Sequence, residues 1–136
     1  MASVLKISEA ASLALHSMTY LAAHENGKPV STKEISDNFG ISEAHLSKVF
    51  QRLSRVGLVR TQRGPGGGVR LGKPAKDVTL LDIFEAIEGP IEYNSCLLGA
   101  KTCDYASCIL GQLANTVNHQ VKDYLKSSNL AELAGR

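Results

Sequence analysis

Hydrophobic residues recur every three or four positions through most of this chain, and each run is bounded by capping or breaking residues. Residues 8–24 set Leu13, Ala14, Met18, Leu21 and Ala22 on one side of a first long helix. Glu9, Ser12, His16 and Thr19 lie along the other side. Glu25-Asn26-Gly27-Lys28-Pro29 then signals a turn. Ser31-x-x-Glu34 has the form of a capping box, and it predicts a short helix that stops at Gly40. Ser42 predicts the cap of another helix, with Leu46, Val49, Phe50 and Leu53 as one apolar stripe and Gly57 as its stop. Leu58–Val59 and Val69–Leu71 flank a glycine-rich turn and read as a small hairpin. Thr79-x-x-Asp82 starts a further helix through Leu80, Ile83, Phe84 and Ile87, which Gly89-Pro90 ends.

From Ile91 to Ser107 the period disappears, over a length unusual for a plain connection in a small domain. It returns from Cys108 as Leu110, Leu113, Val117, Val121 and Leu125, an amphipathic helix that needs a surface to cover its stripe. Packing within the chain would satisfy it, and so would a second copy. Ser128-Asn129 predicts the cap of a last short helix, Leu130 to Ala134. Helix, short turn, helix and basic hairpin is the plan of a winged helix-turn-helix. The predicted fold is therefore mainly α with a small β-hairpin wing, a winged helix-turn-helix plus a long C-terminal dimerisation helix. The DNA-binding domain is expected over residues 1–78, and the cysteine-bearing loop and dimerisation region over 79–136.

Net charge is only +2, so no global basic field argues for nucleic acid. The distribution does: between Lys48 and Arg70 there are six Lys or Arg residues and no acid. The N-terminus lacks a charged-then-apolar signal pattern, and no apolar run approaches the roughly 20 residues that span a bilayer. A cytoplasmic protein with no membrane partner is expected, and three cysteines there argue against a disulfide framework.

The N-terminal turns of a recognition helix come nearest the base edges. Ala44, His45, Ser47 and Lys48 are accordingly the candidate readers, with Ser42 at the cap. Gln51, Arg52 and Arg55 are placed for phosphates, which position without specifying. In the wing, Arg60, Arg63, Gly66 and Gly67 are candidates. Glycines permit close backbone approach to DNA, and Arg63 can insert where the minor groove is narrow. A nucleotide-binding loop is a weaker reading, because no Walker Lys-Ser/Thr follows the glycines.

Cys96-x6-Cys103-x4-Cys108 is the chemical centre of the chain. Three neighbouring thiolates suit an iron–sulfur cluster, and they also permit zinc, a thiol switch or inert burial. A structural zinc site normally uses a tighter knuckle and four ligands. A metal or redox enzyme would also use thiols, but no GxGxxG, HExxH or Ser/His/Asp arrangement accompanies them. An interaction module with no DNA role would show no salt-dependent DNA binding.

The run GISEAHLSKVFQRLSRVGLVRTQRGPGGGVRLGKPAKDVTLLDIFEAIEGP, followed by three spaced cysteines and a long helix, resembles the Rrf-two family of bacterial transcriptional regulators. That family contains iron–sulfur, nitric-oxide-sensing and cysteine-metabolism repressors. The resemblance implies a homodimer with crossed long helices on double-stranded, palindromic promoter DNA. It also implies a 2Fe–2S or 4Fe–4S cluster on cysteines corresponding to Cys96, Cys103 and Cys108, the middle one displaced by one residue from a common family spacing. Gly111 stands where some members carry a histidine ligand. Others take a ligand from the partner's first helix, whose matching face here carries Ser12 and His16 with Glu9 nearby. His16 is then the fourth-ligand candidate, ahead of Glu9, Asp104 and His119. The family's minor-groove arginine corresponds to Arg63. Ala44, where some members carry a polar reader, implies a different operator preference. The expected protein is a dimeric repressor sensing redox state, nitric oxide or iron through the cluster. The alternative is the same DNA-binding regulator without a cluster, sensing by cysteine oxidation or through a partner protein.

Overall fold

Four serine or threonine caps begin helices in the computed structural model, which describes residues 5–91, 109–110 and 112–135. Ser8 caps α1 (Glu9–Ala23) by accepting from the Ala11 N–H. Ser31 caps α2 (Thr32–Phe39), and Gly40 closes it at φ 66°, a left-handed conformation that costs glycine little. Thr79 caps α4 (Leu80–Glu88) in a complete capping box with Asp82. At α2 only the Ser31 half of the box is seen. The Glu34 carboxylate instead accepts a 2.8 Å hydrogen bond from the Tyr20 hydroxyl of α1, and that bond pushes the phenol above its ordinary pKa. A local signal is thereby redirected by a tertiary contact.

Ser42 begins α3 (Glu43–Arg55), whose buried residues are the expected Leu46, Val49, Phe50 and Leu53. In α1 the buried face is Ala11, Leu13, Ala14, Ser17, Met18 and Leu21, with Ala22 half-buried at its edge. The hairpin pairs β1 (Val59–Gln62) with β2 (Gly68–Leu71) in antiparallel register, Val59 opposite Leu71. The backbone of Val30 adds to the far side of β2, exchanging two 2.8 Å hydrogen bonds with Val69. A Cβ on Gly68 would lie 2.2 Å from the Val30 carbonyl oxygen, so only glycine lets these two backbones approach.

A 3-10 turn (Ala75–Asp77) leads into α4, and α5 (Leu113–Ser127) and α6 (Leu130–Ala134) complete the described elements. Asn129 caps α6, and hydrogen bonds from Leu80 N–H to Ser128 and from Leu130 N–H to Val78 stitch its start to the start of α4. One buried cluster results, running from Ala11 and Phe50 through Val69 and Ile83 to Leu125 and Leu130. Among the described residues, no helix is long and apolar enough to cross a membrane.

The α5 stripe is covered at one end only. Leu125 is buried and Val121 packs against the core, whereas Leu113 is 53% exposed and Leu110, just before the helix, 37% exposed. The start of this stripe thus presents Leu110 and Leu113 to solvent, with Val117 half-buried behind them. Inside the core, the Ser17 hydroxyl is fully buried and has no hydrogen-bond partner among the described residues. Ser17→Ala is therefore expected to raise stability by about 1 kcal/mol, because it removes an unmet desolvation cost and favours the helix. An unchanged or lower urea midpoint would show that the hydroxyl is satisfied.

Candidate nucleic-acid interface

The recognition helix is fixed at its start by a short-range bond: Ser42 Oγ accepts from the His45 N–H at 3.3 Å. The Ser42 hydroxyl proton remains available to donate to a phosphate. Ala44 and Lys48 are exposed and His45 and Ser47 half-buried, so all four candidate readers lie outside the core. Thirteen residues make α3 about 20 Å long, a rod that a B-DNA major groove admits. His45 has a neighbour its own sequence context does not show: its Nδ1 lies 3.8 Å from the Glu9 carboxylate at the start of α1. That acid opposes phosphate approach on its side of the helix. Lys48 and Gln51 are exposed, and among the described residues no acid forms an ion contact with Lys48.

Arg52 divides from the other phosphate candidates. Its guanidinium donates to the Ile87 carbonyl at the end of α4, a group that has no partner within its own helix. The same end of α4 is held twice more. The Ser8 hydroxyl donates to the Glu88 carboxylate, and Glu85 Oε2 accepts from the Ile91 N–H at 3.0 Å. Recognition helix, first helix and departing chain are thus tied together at one point, immediately before residue 92. Sequence reading missed this knot, because no spacing rule links residues so far apart in the chain.

In the wing, Arg60, Arg63 and Gly66 are exposed and Gly67 is half-buried. Gly66 has φ 75° and open space around it. Gly67 closes the tip by donating to the Gly64 carbonyl at 2.9 Å, and a Cβ there would sit 2.2 Å from the Gln62 carbonyl oxygen. Gly67 therefore serves the tightness of the turn itself, which holds Arg63 at a narrow, projecting tip.

The three cysteines, Cys96, Cys103 and Cys108, lie outside the described residues, as does Asp104. Among the described residues no group of three or more His, Cys, Asp or Glu could hold a metal. His16 is described and exposed on α1. Its Nδ1 sits 2.7 Å from the Ser12 carbonyl, so Nδ1 carries the proton and donates. In the neutral ring that tautomer leaves the lone pair on Nε2, the arrangement a histidine needs in order to ligate a metal through that nitrogen.

Residues 7–136 match the family model described as Rrf2, iron-dependent transcriptional regulator. The chain is 32% identical over 120 residues to the HTH-type transcriptional regulator IscR of Photobacterium profundum, covering 88% of this chain and 70% of that protein. Among solved structures, CymR, the global cysteine regulator of B. subtilis, is similar with TM-score 0.81 and 32% identity, covering 97% of this chain and 98% of that one. IscR of T. potens is similar with TM-score 0.79 and 26% identity, covering 97% and 88% of the two chains. These relatives are transcriptional regulators and not enzymes. The chain belongs to the Rrf2 family and is a winged-helix, DNA-binding transcriptional regulator.

Proposed function

We propose that the protein acts in the cytoplasm as a homodimeric repressor of promoter DNA, with α3 in the major groove and Arg63 in the adjacent minor groove. The observation that carries this reading is the exposed face of α3, which passes into an exposed basic wing with no acid between Lys48 and Arg70. Ala44, His45, Ser47 and Lys48 contact base edges, while Ser42, Gln51, Arg60 and the wing glycines Gly66 and Gly67 face phosphate. Arg52 acts mainly by fixing α3 against α4. Two-fold pairing through α5 covers the bare half of its stripe and sets two recognition helices on half-sites about one helical turn apart.

Cys96, Cys103 and Cys108 fit an iron–sulfur cluster as soft sulfur donors, and the free Nε2 lone pair of His16 supports it as the fourth ligand. Bound there, a cluster would supply a group that reacts with oxygen or nitric oxide or is lost when iron is scarce. The chain's own part is mechanical. The cysteine segment follows in sequence the end of α4 that Arg52 ties to α3, so binding at the cysteines has a covalent route to the recognition helix. The likeness to a global cysteine regulator favours a second reading, in which bare thiols or a partner protein do the sensing.

Purification without oxygen, followed by iron and sulfide assays and selection of bound duplexes from a random pool, tests both parts. Palindromic selected sites, with affinity that falls steeply as salt rises, are expected. So is a brown protein with iron and sulfide in comparable amounts that Cys103→Ala loses while staying folded. A colourless protein after reconstitution would move sensing to the thiols. An absence of salt-dependent DNA binding would remove the regulator reading altogether.

A further inference from the structure

A concave surface of about 530 Å³ lies between the end of α1, the turn before Val30, the outer face of the wing and the connector after Gly72. Its rim carries Lys28, Arg60, Arg70 and Lys73, against a single acid, Glu25. Its floor is apolar, with Leu21, Val30 and Leu71 among the lining residues. The hairpin register makes the cluster unusual. Arg60 and Arg70 are direct cross-strand partners, both exposed, while their neighbours Val59 and Val69 turn into the core. Like charges directly opposite one another in a sheet repel and destabilise it. No carboxylate relieves them: among the described residues, Lys28, Arg60, Arg70 and Lys73 form no ion pair. Four cations thus line one concavity with an apolar floor, and a low-dielectric wall strengthens each attraction to an anion.

We infer that this cleft binds a small, free polyanion bearing phosphate-type oxygens, separately from DNA. The arginine pair presents two planar forks suited to bidentate oxyanion contacts, and the lysines add flexible point charges. The cleft shares only Arg60 with the proposed DNA-facing set: no residue of α3, and none of the wing tip from Arg63 to Gly67, lines it. Its walls come from α1 and from both wing strands, so an occupant bridges the wing to the helical core. Occupancy therefore opposes movement of the wing relative to α1.

Inorganic pyrophosphate is a suitable probe. Amide chemical shifts of the full chain are followed as pyrophosphate is added, with sodium chloride at matched ionic strength as control. Saturable shifts confined to residues near Lys28, Arg70 and Lys73 are expected, with affinity falling about tenfold for each cation removed in Arg70→Gln and Lys73→Gln. Both side chains are exposed, and Arg70→Gln relieves the cross-strand repulsion, so these variants should melt no lower than the parent. Shifts that do not exceed the chloride control, or that persist unchanged in both variants, would overturn the assignment. It would equally be overturned if pyrophosphate failed to bind while the variants lost DNA affinity and salt dependence, since the cluster would then be holding the DNA backbone.

Discussion

Leu113→Asp is expected to convert the proposed dimer into a monomer and to lower operator affinity by about a hundredfold or more, the avidity lost when two half-sites are no longer held by linked domains. Leu113 begins the apolar stripe of α5 and is 53% exposed, so the protomer does not depend on it for its own core. An aspartate there costs the monomer little, whereas in an apolar interface it is a buried, unpaired charge. The helix is held to the core at its other end, by Leu125 and Val121, and that anchoring should survive. Sedimentation should show one protomer mass with an unchanged melting midpoint, and duplex titration should show weak binding to single half-sites. A variant that stays dimeric with parental affinity would place the interface elsewhere.

Arg63→Ala is the second large effect expected: a loss of roughly 1–3 kcal/mol in operator binding, or about fivefold to 150-fold. Arg63 is exposed at the base of a tip closed by the Gly67-to-Gly64 hydrogen bond, so its removal leaves the hairpin intact. The salt dependence of binding should weaken by about one unit of slope if the guanidinium displaces a counterion from the duplex. If A·T-rich sequence is preferred beside each half-site, Arg63→Ala should also flatten that preference, because narrow minor grooves attract arginine most. Parental affinity in this variant would remove the wing from the interface. Arg52 is a poor probe for the same purpose, since its guanidinium is bound to the Ile87 carbonyl and its loss would disturb the seating of α3.

The recognition helix and the wing were legible in the sequence because their causes are local. Ser42 caps α3, Gly40 ends α2, and Leu46, Val49, Phe50 and Leu53 share one face by spacing alone. Thr79 and Asp82 form the capping box their spacing predicts, and Asn129 caps a helix over Leu130–Ala134 as expected. Each of these is a free energy settled within one or two turns of chain.

Other features depended on which surfaces meet. Glu34 has the right spacing to complete a box with Ser31, yet Tyr20 of another helix takes its carboxylate. Glu9 faces His45, Arg52 reaches Ile87, and Val30 pairs with Val69, contacts between segments whose separation in sequence carries no period. Arg60 read as a wing candidate and Arg70 as the end of an acid-free basic stretch, and only the hairpin register sets them directly opposite each other, in a cleft with Lys28 and Lys73. The α5 stripe was visible from its spacing, but that only its far end is covered within the protomer is a fact of packing. Local capping and periodicity thus determined the elements and the reading helix. Tertiary packing decided which charges are paired, which apolar face is left bare, and how the start of the cysteine segment is joined to the DNA-reading helix. Those outcomes depend on contacts between distant segments, which no local pattern encodes.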